Sequence, residues 1–376
     1  MSKKKKSIDL TPYENREALC PHFGKCGGCV YQKISYDRQL EMKASKVKGL
    51  LEGVYGDSFC FEGIISSPSE EGYRNKMEFT FGDEYKDGPF ALGLHQKGSF
   101  MNIVNITDCH LIHNDMNMVR NAVRDYFNQF FEKGIIKFRN NKTHEGWLRH
   151  LLVRRAASTG EILVALVTTS DSGFEEYVEG FKNTVLGLKT EGEVVGILHI
   201  INDSLSDVVQ SDRTDILYGR DYINENVLGL DFKVSVFSFF QTNTKGAELL
   251  YDKARSYAAD ARGMLFDLYS GTGTIAQLMA RAVDEVIGVE IVEEAVSSDS
   301  VQIGQIVTIK DDEFGDEEEY RIVGSTEADP MNGKISNESP VGKAILGKKK
   351  GDKVVVEVNG NKIDYTIVDI KLPERK

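Results

Sequence analysis

One stretch limits what this chain can build more than any other: MLFDLYSGTGTIAQLMARAVDEVIGVEI, residues 264–291. It reads as an apolar strand, a glycine turn, a helix and a second apolar strand, the opening of a doubly wound nucleotide-type fold. Gly271 and Gly273 let a ligand approach the backbone where the helix begins. Glu290 ends the second strand, where a carboxylate can accept hydrogen bonds from a ribose. Such a sheet should continue through several more strand and helix units, because each covers apolar surface left by the last. Here the pattern stops. Ser297 to Ser300 lead into VQIGQIVTIKD, EEEYRIVGS and KVVVEVNGNKIDYTIVDI, which predict a small antiparallel domain with a hairpin turn at Asn359 and Gly360. The serine-rich break fits a linker or a splice point.

The 376 residues leave room for two or three domains, and 41% hydrophobic with 28% charged is ordinary globular composition. Apolar positions spaced by three and four predict an amphipathic helix over 36–55 and another over Asn114 to Phe131. NKMEFTFG, ALGLHQ, SFMNIVNI, ILVALVTT and VGILHIIN have strand composition, so the middle of the chain reads as an α+β domain on a largely antiparallel sheet. FSFFQTNTKGAELLYDKARSYA, from Phe237, reads as a short strand, a polar turn and a helix. The fold class is thus a multidomain mixture of α+β and α/β parts. No run approaches a membrane span, and no apolar segment follows Lys3 to Lys6 as in a secretory signal, which places the chain in the cytoplasm.

A formal charge of -12 opposes indiscriminate binding to phosphates, so any contact with nucleic acid must be local. Three basic groups are candidates: Lys3 to Lys6; Arg38, Lys43, Lys46 and Lys48; and Arg149, Arg154 and Arg155. All five cysteines lie in the first third of the chain. Cys20, Cys26 and Cys29 sit in CPHFGKCGGC, where Gly24, Gly27 and Gly28 allow three sulfurs to converge, and Cys109 is the candidate fourth ligand. In a reducing compartment this grouping points to metal rather than disulfide. A cubane cluster suits the spacing best, while His22 and His110 keep zinc open. Cys60, between Phe59 and Phe61, reads as core packing. No thiol occurs from Leu111 to Lys376.

The four cysteines together with GYRNKMEF, WLRHLLVRR, FFQTN and DLYSGTGT resemble the S-adenosylmethionine-dependent RNA (uracil-5-)-methyltransferases that carry a 4Fe-4S cluster. The resemblance covers about residues 16 to 296. It implies cofactor contacts from Gln241, Tyr269 and Glu290, with Thr274 beside them, and rRNA or tRNA as substrate. It also implies a small β-barrel RNA-binding module at the front, in whose place the tail Met1 to Asn15 stands. The mechanism it implies needs a cysteine nucleophile and a carboxylate base, which belong to the part of that domain beyond Val296 and have no counterpart here.

Residues 301 to 372, chiefly STEADPMNGKISNESPVGKAILGKKKGD, are similar to the FKBP-like C-terminal domain of the transcript-cleavage factors GreA and GreB. That resemblance implies docking on RNA polymerase. Gly333, Pro340, Gly342 and Gly347 are placed at turns, and Asp329, Pro330, Ser339 and Pro340 in loops. The resulting plan is a basic tail (1–15), an iron-sulfur and central RNA-binding domain (16–230), an incomplete Rossmann-like domain (231–296), a junction (297–300) and the Gre-type domain (301–376). Three functions compete: a working methyltransferase, an RNA- and polymerase-binding module, or a recombined reading frame. An open two-stranded sheet would make the chain poorly soluble or dependent on a partner.

Overall fold

A computed structural model describes residues 9–205, 211–258, 263–290, 301, 305–312, 315–323, 328–330, 333–337, 339–358 and 361–371. Two compact units emerge, one of 1–262 with 278–283, the other of 263–277 with 284–376. Lys3 to Lys6, the junction at Ser297 to Ser300 and the turn at Asn359 and Gly360 lie outside the described residues.

The first unit is built on a seven-stranded sheet in the order β3-β2-β1-β4-β5-β6-β7. Its strands are β1 (Lys76–Asp83), β2 (Phe90–His95), β3 (Ile103–Asn105), β4 (Leu148–Arg155), β5 (Ile162–Thr168), β6 (Val194–Ile201) and β7 (Arg213–Gly219). All neighbours run antiparallel except β5 and β6. Side chains alternate across a strand, so β5 sends Ile162, Val164 and Leu166 to one face and Leu163, Ala165 and Val167 to the other. Both faces are covered, which is why this strand is an unbroken apolar run.

The first face is covered by α2 (Asn114–Phe131) and α3 (Glu175–Leu186). Met116, Val119, Val123 and Phe127 of α2 recur at helical spacing and bury against Phe79, Leu151 and Trp147. The second face is covered by the hairpin of β8 (Tyr222–Val227) and β9 (Leu230–Ser235) and by α4 (Thr244–Tyr257). The helix α1 (Tyr36–Tyr55) forms over its predicted span, yet none of its residues is buried.

The strand expected at FSFF does not form: β9 ends at Ser235, and Phe237 to Phe240 make a bent connection. Ser235 and Ser238 cause the bend, their hydroxyls and amides hydrogen bonding across it. Phe240 still turns inward, packing against Phe232 at a ring separation of 6.1 Å.

In the second unit, β10 (Met264–Leu268) and β11 (Glu285–Val289) pair in parallel, connected through α5 (Thr274–Met279). A separate five-stranded sheet runs β14-β13-β12-β16-β15. It contains β12 (Ile306–Asp311), β13 (Glu317–Val323), β14 (Lys334–Ser336), β15 (Lys353–Val358) and β16 (Asn361–Lys371), with one parallel pair, β13 with β14. Val307, Ile309, Ile322, Val356 and Ile367 form its core with Ile345 of α6 (Pro340–Ile345). Ser339 stays in the loop, as expected, but Pro340 does not. The Ser339 hydroxyl accepts the Gly342 amide at 3.0 Å as helix cap, and Pro340 opens the helix, where its missing N–H costs nothing. Gly342 is likewise helical rather than at a turn; a side chain there would collide with the Ser336 carbonyl.

Candidate functional site

The cysteine loop is fastened to the β2–β3 hairpin. The Gly27 amide donates to the His95 carbonyl (3.2 Å) and the Lys97 amide to the Lys25 carbonyl (2.7 Å). Cys109 approaches from the loop after β3, its amide donating to Asn117 Oδ1 at 3.0 Å. Asn117 also accepts from Arg120, whose guanidinium is fully buried and lies 5.4 Å from the Phe79 ring centre. Burial pushes the Cys20, Cys26 and Cys109 thiols up, and charge on Cys29 adds to the shift of each. Arg120, itself brought down to about 10 by burial, acts in the opposite sense on Cys109.

Among the described residues no three His, Cys, Asp or Glu side chains are gathered tightly enough for a single metal ion. His22 Nε2 is engaged by the Thr107 hydroxyl (2.9 Å) and amide (3.0 Å). His110 faces Glu71 through Nδ1 (3.0 Å) and Asp108 through Nε2 (3.3 Å). These contacts argue against the zinc alternative. The Gly28 amide already points at Cys26 Sγ (3.3 Å), and a cavity of about 230 Å³ lined by Cys29, Tyr73 and His110 adjoins the loop.

In the second unit the turn after β10 gathers Tyr269, Gly271, Gly273, Thr274 and Glu290. The Gly271 amide donates to Glu290 Oε2 at 2.7 Å, the Gly273 amide to the Ser270 carbonyl at 2.8 Å, and the Ser270 amide to Val289 at 2.9 Å. Gly271 and Gly273 have φ of 54° and 71°. No atom lies within 4 Å of where a Gly271 side chain would begin, so that face of the turn is open. Tyr269 shares the left-handed backbone at φ 63° and is 86% exposed, which excludes a core role. Sequence reasoning missed Asp267. Its buried carboxylate accepts the Ala276 amide at 2.9 Å and so ties β10 to α5; an acid two residues before the glycine turn was the available signal.

Gln241 lies in the first unit, in the loop between Phe240 and α4, and is exposed. Its backbone carbonyl accepts from Asn75 Nδ2 (2.8 Å), which also donates to Thr244 Oγ1 (2.9 Å). Arg154 closes the same loop through the carbonyls of Val236 and Ser238. GYRNKMEF, WLRHLLVRR and FFQTN are thus parts of one bracket.

That bracket overturns the expectation that Arg149, Arg154 and Arg155 grip RNA. Arg149 and Arg154 are 3% and 2% exposed. Arg149 is held by Asn202 and Ser204, and Arg155 pairs with buried Asp115 at 2.8 Å. On α1, Lys43 lies over the Tyr31 ring and Lys48 pairs with Glu52, but both remain exposed. Cys60 is exposed rather than packed, because its flanking phenylalanines are only half-buried on the segment after α1.

Residues 296–372 match the family described as transcription elongation factor, GreA/GreB, C-term. A protein named as an RNA methyltransferase in Clostridium tetani is 48% identical over 294 residues, 77% of this chain and 62% of that protein. The chain joins a stretch homologous to RNA methyltransferases to a GreA/GreB C-terminal domain. A second such relative, from Caldanaerobacter subterraneus, is 46% identical over 77% of this chain and 63% of its own length. The chain therefore spans about three fifths of these curated relatives. The tRNA (uracil-54, C5)-methyltransferase of Pyrococcus abyssi, solved with S-adenosyl-L-homocysteine, superposes with a TM-score of 0.54 at 21% identity. That superposition takes in 92% of this chain and 86% of the other, and it is a likeness of fold. No helix among the described residues is long and apolar enough to cross a membrane.

Proposed function

We propose that the front of the chain is the RNA-holding, cofactor-binding part of a uracil-C5 methyltransferase, carried on a Gre-type domain that docks on RNA polymerase, and that it does not complete methyl transfer alone. The domain plan 1–15, 16–230, 231–296, 297–300 and 301–376 belongs to this proposal. One observation carries it: after Cys109 the chain contains no thiol. C5 of uracil becomes nucleophilic only when a thiolate has added at C6, and a base must then remove the C5 proton.

The residues that are present keep their binding roles. Gln241, Tyr269, Gly271, Gly273, Thr274 and Glu290 are assigned to S-adenosylmethionine, which would supply the methyl group. The Gly271 amide orients the Glu290 carboxylate, and the open face of the turn gives the ligand access to backbone. Cys20, Cys26, Cys29 and Cys109 are assigned to a 4Fe-4S cluster held by thiolates. Buried Arg120 offsets the negative charge that four thiolates would gather there.

Incubation with labelled S-adenosylmethionine and uracil-containing rRNA or tRNA should give no methylated product above background. 5-Fluorouracil-substituted RNA should form no covalent adduct, and a stable adduct would refute the proposal. Polymerase pull-down should depend on the segment after Ser300; equal recovery without it removes the docking role. The exposed Met264, Phe266, Leu268 and Val289 on the two-stranded sheet favour the alternative of a recombined reading frame. A sharply melting, soluble monomer would count against that alternative.

A further inference from the structure

The first unit holds a cavity of about 190 Å³ that none of the roles above uses. It is lined by the second half of β1, His95 at the end of β2, the β2–β3 hairpin loop and the segment 138–142. Its lining concentrates positive charge on a chain of net charge -12, with Lys86, Arg139, Lys142 and Arg149 set against a single carboxylate, Asp83. Asp83 Oδ2 is occupied in accepting the Asp87 amide at 3.0 Å. Arg149 is committed to Asn202 and Ser204. Among the described residues the ammonium groups of Lys86 and Lys142 form no ion pair, and Arg139 Nη1 has no hydrogen-bond partner although Arg139 is only 8% exposed. A buried guanidinium nitrogen without an acceptor is costly, and an anionic oxygen in the cavity would remove that cost.

Both walls are fixed. The Arg139 amide donates to the Leu148 carbonyl at 2.8 Å, and the Asn140 side chain accepts the Lys142 amide at 2.8 Å. Gly146, at φ 106°, passes so close to the Phe138 carbonyl that any side chain would collide with it. Opposite, Ser99 Oγ accepts the amides of Met101 (3.2 Å) and Asn102 (3.1 Å). These bonds hold Phe100 at the rim with 88% of its surface exposed. A phenylalanine presented to solvent beside unpaired basic groups is the pairing by which single-stranded nucleic acid is held: a base stacks on the ring while its phosphate meets the cations.

We infer that this cavity binds one unpaired nucleotide of single-stranded RNA, with the base on Phe100 and the phosphate toward Lys86, Arg139 and Lys142. The inference rests on the RNA-holding role proposed above and gives it a location within the first unit. The test is fluorescence anisotropy of the full chain with a labelled short oligouridylate. Phe100→Ala should weaken binding about tenfold, the loss of one stacked base. The double substitution Lys86→Ala, Lys142→Ala should reduce the slope of log affinity against log salt by about 1.4. All three side chains are exposed, so the variants should keep the wild-type melting curve. Uridine monophosphate should displace the probe at concentrations where inorganic phosphate does not; equal displacement by both would overturn the nucleotide assignment in favour of a plain anion site. If wild type binds the probe and both variants bind it equally well, the cavity is not the site. If wild type does not bind at all, the RNA-holding role fails with it.

Discussion

Replacing Arg155 with methionine tests whether the arginines of WLRHLLVRR are structural. The guanidinium donates from Nε to Asp115 Oδ2 at 2.8 Å, with the two side chains 13% and 2% exposed. Asp115 also accepts the amides of Glu191 (2.8 Å) and Gly192 (3.0 Å), so it ties the start of α2 to β4 and to the segment entering β6. Removing one partner of a buried pair costs about 3–5 kcal/mol; because the two amides remain, about 2–3 kcal/mol is expected here. Trp147 is the only tryptophan of the chain and is 2% exposed in the core of the first unit, so its fluorescence reports this unit alone. In urea its transition should move down by about 1 M. Burial by itself would raise the Asp115 pKa, but Arg155 and the two amides more than offset it and hold the carboxyl below 3.8. A depressed carboxylate stabilises the fold above its unfolded pKa, and that contribution is lost as pH falls through the folded value. The gap between wild type and variant should thus be full at neutral pH and shrink as pH drops below about 4. A gap of the same size at pH 7 and in acid, or an intact transition with lost RNA affinity, would refute the structural role.

Asn75→Ala should destabilise the first unit by about 2 kcal/mol, since the Gln241 carbonyl and the Thr244 hydroxyl both lose a donor; an unchanged Trp147 transition would contradict this. Under native conditions maleimide should modify exposed Cys60 long before buried Cys109, and mass mapping showing the reverse order would undo the placement of the segment after α1. Anaerobic reconstitution should load iron and acid-labile sulfide in equal amounts, and Asn117→Ala, which frees the Cys109 backbone, should lower the load; retention of zinc instead would remove the cluster assignment.

Sequence pattern carried well wherever one local rule decided the outcome. The helices over 36–55 and 114–131 follow from spacing alone, and the strand, turn, helix and strand after Met264 follow from apolar runs interrupted by Gly271 and Gly273. Spacing could say that α1 is amphipathic but not what covers it: Val47, Leu50 and Val54 form a helical stripe and all three are exposed. The failures fall where distant segments decide. FSFF has strand composition, yet Ser235 and Ser238 bend the chain there and Arg154 fixes the bend from a strand some eighty positions earlier in the sequence.

The arginines show most clearly why a site cannot be read from charge alone. On a sheet with solvent on one side, LRHLLVRR would put alternate basic residues in water. But β4 is a central strand covered on both faces, so Arg149, at the irregularity near its start, and Arg154 are both buried, and carbonyls rather than phosphates satisfy them. Basic groups that stay available come instead from positions that no run or motif marks: Lys86 in a turn, Lys142 in a loop shaped by Gly146, and Arg139 with one nitrogen left over. Their meeting depends on the hairpin that carries Phe100, which is separated from each of them in sequence. The glycine turn after β10 is the opposite case, since Tyr269 to Thr274 are consecutive and Glu290 is one parallel strand away. A turn contained in one strand-turn-helix-strand unit is legible in sequence; a cavity assembled from three loops is not.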